Sequence, residues 1–101
     1  MLSPAATREL KVFYRALGDL TRLRIVQILT TEGDQPVSAL LRRTRISPPL
    51  MTWHLHRLKR AGLVTTERIG REVRCSFRRE RFAELNERGL RALMNPSVVL
   101  Q

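Results

Sequence analysis

Apolar residues recur near the start of the chain at helical spacing. Ala6, Leu10, Phe13 and Leu17 fall three and four apart, which predicts a first amphipathic helix. Gly18 ends it, and Asp19 is placed to cap a second helix over about 20–30, with Leu23, Val26 and the Ile28–Leu29 pair turned inward. The run TEGDQP is turn chemistry. A short third helix over about 37–43 follows, carrying Val37, Leu40 and Leu41.

Ser47 then reads as an N-cap with Pro48 at the first helical position. Met51, Leu55 and Leu58 share one face of the helix that follows, over 48–60, until Gly62 stops it. From Leu63 the period shortens to that of a strand. LVTTERI, a Gly70-Arg71 turn and EVRCSFR predict a hairpin, with Val73, Cys75 and Phe77 on one face of its second strand. A last helix over about 79–95 presents Phe82, Leu85, Leu90 and Leu93 and ends before Pro96. With 101 residues in all, the chain reads as one domain over 1–95, with 96–101 a loose tail. The expected fold is mainly α with a two-stranded β-hairpin, in the order ααααββα.

Helices, a hairpin and a closing helix in this order form a winged helix-turn-helix. Three separated stretches, LGDLTRLRIVQIL, ISPPLMTWHLHRLKRAGLV and RIGREV, resemble, in order and spacing, the arsenic-repressor (ArsR) family of winged-helix transcription regulators. The likeness covers roughly residues 10–78. It implies a sequence-specific DNA-binding regulator, a homodimeric repressor on an inverted-repeat operator, joined through its first and last helices. It also implies that helix 48–60 enters the major groove while the 68–74 hairpin acts as the wing. Leu10, Phe13, Leu85, Leu90 and Leu93 are the candidate dimer residues, since they offer more apolar surface than a three-helix core easily covers.

Helix 48–60 carries the only tryptophan and both histidines. His54 and His56 are two apart and point about 200° from each other, so they do not chelate one ion from one face. No metal is expected here. His54 lies beside Leu55 and Leu58 and suits a structural or phosphate hydrogen bond. Ser47, Pro48, Pro49, Leu50, Thr52, Trp53, His56 and Arg57 occupy the N-terminal end and the other face, where a DNA-reading surface belongs. Relatives usually present polar residues at the positions of Pro48, Pro49, Leu50 and Trp53. Leucine and proline can touch a thymine methyl but make no bidentate base contact. Trp53 has two open roles, contact with a base or sugar and packing on its own domain.

Charge sharpens this picture. The net charge is +10, and residues 42–81 hold twelve Arg/Lys against three Glu, while the segments on either side are nearly balanced. Of the nineteen cations seventeen are arginine, whose planar fork suits phosphates and base edges. A segregated cationic block implies a polyanion, here double-stranded DNA. Arg68 and Arg71 of the hairpin join the candidate DNA residues, with Arg74 flanking the same tip.

Sensing and catalytic chemistry are not in evidence. Where many family members carry a Cys-Val-Cys pattern, this chain has Pro36-Val37-Ser38, which supplies no thiolate. Glu80, Glu84 and Glu87 on the last helix lack a histidine partner, and Glu84 with Arg88 and Glu87 with Arg91 read as ordinary ion pairs one turn apart. Cys75, the single cysteine, reads as a buried small hydrophobe. No cofactor is implied, no inducer is identified, and no phosphate loop, nucleophile elbow or HExxH motif points to an enzyme. One thiol and no membrane-length apolar run suggest the cytoplasm. Two other readings stay open: a non-specific architectural nucleic-acid binder, and a protein-interaction module that lost operator binding.

Overall fold

The computed structural model describes residues 3–94. Helix α1 (Pro4–Leu17) starts where the Ser3 hydroxyl accepts from the Ala6 N–H at 3.1 Å. Helix α2 (Leu20–Glu32) starts where Asp19 accepts from the Arg22 N–H at 3.0 Å. A two-residue strand β1 (Gln35–Pro36) leads into α3 (Val37–Thr44). Helix α4 (Pro48–Arg60) is capped by Ser47, whose hydroxyl accepts from the Leu50 N–H at 3.3 Å. Strands β2 (Val64–Ile69) and β3 (Glu72–Phe77) form the hairpin, and α5 (Arg79–Met94) closes the fold. Gly70 takes a left-handed φ of 64° at the hairpin turn, a conformation side-chain-bearing residues rarely adopt.

The order of helices and hairpin and the limits of α4 are those the sequence predicts. The sheet is larger than the expected two strands. All three strands run antiparallel in the order β1-β3-β2, with Gln35 opposite Cys75 and Pro36 opposite Arg74. Proline is tolerated in β1 because that strand is at the sheet edge. Its two residues lie in the stretch expected to be turn alone, and no local pattern marks a strand so short.

The core gathers Phe13, Ile25, Leu40, Met51, Leu58, Leu63, Cys75 and Leu85, all almost fully buried. Phe82 joins helix to sheet, with ring centroids 5.7 Å from Phe13 and 5.6 Å from Phe77. Two sequence expectations are corrected. Leu23 was expected inside but is exposed, and Ile25 and Arg22 are buried instead. Apolar residues fall all around α2, so periodicity does not select its inner face; packing against α3, α4 and β3 does. Leu10, Phe13 and Leu85, expected to face a second copy, are buried within the single chain. The α1–α5 contact and the aromatic cluster cover more apolar surface than three helices alone would. Of the five candidate dimer residues only Leu90 and Leu93 stay exposed, at 55% and 60%.

Candidate nucleic-acid interface

Helix α4 divides as its sequence suggests. Met51, His54, Leu55 and Leu58 face inward, whereas Ser47, Pro48, Pro49, Leu50, Thr52, Trp53 and His56 are exposed and Arg57 is half-buried. The exposed set spans the helix N-terminus, where Pro48 and Pro49 carry no N–H and those of Leu50 and Met51 bond to Ser47, so it is the positive dipole end that favours anions. Thr52 turns its hydroxyl back to the Pro48 carbonyl at 3.1 Å, which leaves the oxygen lone pairs facing solvent.

Trp53 packs on its own domain and still keeps part of its ring exposed. It is 46% exposed, yet its ring is held at 5.0 Å from the His54 ring and has the Arg57 and Arg22 guanidinium carbons 4.8 Å and 5.3 Å from its centroid. Cation–π contacts of this kind fix the indole while leaving part of it open to solvent.

Behind Trp53 lies a buried polar node. Arg22 donates from Nε to the Ala16 carbonyl at 2.7 Å, from one terminal nitrogen to the Arg15 carbonyl at 3.3 Å, and from the other to His54 Nδ1 at 2.9 Å. One guanidinium therefore satisfies the Ala16 carbonyl, adds a second donor to the Arg15 carbonyl that already takes the Gly18 N–H, and tethers α4. Because arginine is always protonated, His54 Nδ1 must be the acceptor and the imidazole neutral. Burial pushes the His54 pKa below its ordinary 6.5, Asp19 pulls it back up, and the Arg22 charge depresses it further. Asp19 Oδ2 lies 3.8 Å from the same Nδ1. With a neutral ring this is no ion pair, and the carboxylate acts instead as cap of α2. Periodicity gave no sign of a buried Arg22; its only trace in the sequence is the Asp19-Leu20-Thr21-Arg22 spacing that also places the cap.

The wing presents Arg68 and Arg71, both exposed. Arg74 is held back, pairing with Glu72 at 3.3 Å and donating to the Asp34 carbonyl at 3.2 Å. Between α3, α4 and the hairpin runs an open cleft of about 670 Å³, with Leu41 and Leu55 in its lining and Lys59 and Arg71 as its cations.

Away from this surface, Glu9 on α1 accepts from Arg81 and Arg88 on α5, each at 2.7 Å, and Glu84 pairs with the same two arginines. Burial opposes ionisation of Glu9, but the hydrogen bonds and charges of Arg81 and Arg88 outweigh it and hold its pKa below the ordinary value. The network locks α1 to α5. No group of three or more His, Cys, Asp or Glu able to hold a metal is found among the described residues. Cys75 is buried, and desolvation raises its thiol to about 11, against a smaller lowering by Lys59.

Comparison with known proteins decides the family. Residues 17–67, half of the chain, match a helix-turn-helix domain family. A solved ArsR-like transcriptional regulator from Rhodococcus sp. RHA1 superposes with a TM-score of 0.80 at 28% identity, covering 95% of this chain and 90% of that one. The chain belongs to the ArsR family of winged helix-turn-helix proteins. A probable mercury resistance operon repressor of Streptomyces lividans is 34% identical over 73 residues, 72% of this chain and 58% of that protein. An uncharacterized HTH-type transcriptional regulator of Methanocaldococcus jannaschii is 33% identical over 57 residues, 56% of this chain and 64% of that protein. The ArsR chain thus spans less than two thirds of the length of these two curated relatives. Within the ArsR frame, α4 is the second helix of the helix-turn-helix and the β2–β3 hairpin is the wing. The α3 start carries Pro36-Val37-Ser38, with no thiolate in place.

Proposed function

We propose that this chain is a homodimeric, sequence-specific DNA-binding transcriptional regulator, a repressor on an inverted-repeat operator. The observation that carries the reading is the outer face of α4. It is capped by Ser47, ordered around a half-exposed Trp53, and accompanied by the exposed wing arginines Arg68 and Arg71. In this reading Pro49, Leu50, Thr52, Trp53, His56 and Arg57 enter the major groove. Arg71 and Arg68 meet phosphates or the minor groove, supported by the charge concentrated in residues 42–81. Dimerisation is supported by the apolar side chains left uncovered on α1 and α5, namely Tyr14, Leu90, Leu93 and Met94. The name of the Streptomyces lividans relative supports repression. Among the described residues no helix is long and apolar enough to cross a membrane, and nothing in the reading calls for catalysis or a cofactor.

Genome-wide capture of bound DNA tests it, followed by competition of the recovered site against random duplex. A specific regulator prefers its site by at least roughly 10³. Equal affinity for random DNA favours the architectural reading, for which the 49% exposure of Leu50 on the reading face speaks, since leucine reads no hydrogen-bond pattern. No duplex affinity at near-physiological salt favours the protein-interaction module.

A further inference from the structure

Helices α1 and α4 converge on a groove of about 280 Å³ walled by five cations, Arg8, Lys11, Arg15, Arg57 and Arg60, over Val12 and Ala16. Arg8, Lys11 and Arg15 are three and four apart on α1, so they share one face, and Arg57 and Arg60 form the facing wall. Like charges at this spacing repel one another, which makes the cluster unfavourable unless an anion joins it.

No carboxylate lines the groove. The chain pairs its arginines elsewhere: Arg43 with Glu32, Arg74 with Glu72, and Arg81 and Arg88 with Glu9 and Glu84. Glu9, next in sequence to Arg8, reaches across to α5 instead. Among the described residues none of the five groove cations has a carboxylate within ion-pair distance. Cations near the end of α4 answer that helix's negative pole, which accounts for Arg57 and Arg60. That account does not extend to Arg8 in the first half of α1 or to Lys11 at its middle.

We propose that this groove holds the sugar-phosphate backbone of duplex DNA beside the stretch read by α4. The proposal rests on the DNA-binding reading of α4 and enlarges its footprint. Arg57 links the two surfaces, since it lines the groove and also lies 4.8 Å from the Trp53 ring centroid. Guanidinium forks take phosphate oxygens in pairs, and the Val12–Ala16 floor suits the apolar side of a deoxyribose. Such contacts position a protein on the duplex without reading sequence. The first helix, with three cations against the single carboxylate Glu9, thereby becomes part of the nucleic-acid surface.

The test is a salt series of affinity for a fluorescein-labelled random-sequence duplex. Lys11 and Arg15 are exposed, so the double variant Lys11→Ala with Arg15→Ala should fold and unfold thermally as the unaltered chain does. The slope of log affinity against log salt should flatten by roughly two units per chain bound, at about 0.9 per lost phosphate contact. Arg60→Gln on the facing wall should flatten it by about one, and Lys11→Arg with Arg15→Lys should restore it. Unchanged slopes in both charge-removing variants, with a flattened slope for Arg71→Ala, would overturn the groove assignment and leave the DNA reading intact. Absence of duplex binding by the unaltered chain at low salt would overturn both together.

Discussion

Arg22 and His54, thirty-two residues apart, meet at 2.9 Å in the interior, where the end of α1, the start of α2 and the middle of α4 come together. The contact sets how α4 sits on the scaffold, because His54 is next to Trp53 and both pack against the same guanidinium.

Removing that guanidinium strands two acceptors at once. Arg22→Ala leaves the Ala16 carbonyl and His54 Nδ1 without their donor, while the Arg15 carbonyl keeps the Gly18 N–H at 3.2 Å. Unmet buried polar groups of this kind cost about 1–3 kcal/mol each, with solvent entry recovering part, so a loss of about 2–4 kcal/mol is expected. Urea denaturation measures it. Arg22→Lys should recover little, since an ammonium does not reproduce three diverging donors. A loss below about 1 kcal/mol would show that the node is dispensable.

Acid should loosen the same node. The folded-state pKa of His54 lies below its ordinary 6.5, so the unfolded chain takes up the proton first as pH falls. The stability held by neutral His54 is therefore complete above 6.5 and declines as pH drops from there towards the depressed folded value. Asp19 and Glu9, both lowered from ordinary values of 3.8 and 4.5, add a second decline at more acidic pH. Melting temperature against pH should show both stages. His54→Gln, which accepts from Arg22 without titrating, should erase the first and keep the second; a first stage that survives would assign it to another group.

Gly89 exists for Tyr14. A Cβ at position 89 would overlap the tyrosine hydroxyl oxygen. Alanine inside a helix is ordinarily better than glycine by about 1 kcal/mol. Gly89→Ala should therefore bring no gain in the natural chain and a gain of about 0.5–1 kcal/mol in a Tyr14→Ala background. Equal effects in the two backgrounds, measured by urea titration, would mean the ring does not rest on α5.

Leu85 and Leu90 should part company under charge. Leu90→Asp places a carboxylate on an exposed position and should give a folded monomer that sediments at half the mass of the proposed dimer. Leu85→Asp buries the charge where no partner exists and should cost more than about 4 kcal/mol, enough to leave little folded protein. A Leu90→Asp chain that remains dimeric in analytical ultracentrifugation would move the dimer contact away from this face.

The sequence alone determined the order of helices and hairpin, the limits of α4 and the division of its faces. Those features depend on signals acting within about four residues: the Ser47 cap, Pro48 behind it, the spacing of Met51, Leu55 and Leu58, and a glycine free to take positive φ at position 70. Tertiary structure decided the remainder. On α2, apolar side chains on every side left the choice between Leu23 and Ile25 to whatever packs against it. β1 exists because Gln35 and Pro36 find β3 forty residues away. Leu10, Phe13 and Leu85 became core once α5 folded back over α1. The Arg22–His54 contact and the joining of α1 cations to those of α4 likewise depend on helices far apart in the chain. Burial and charge at these positions are properties of the neighbour, and a neighbour distant in sequence leaves no local periodicity to read.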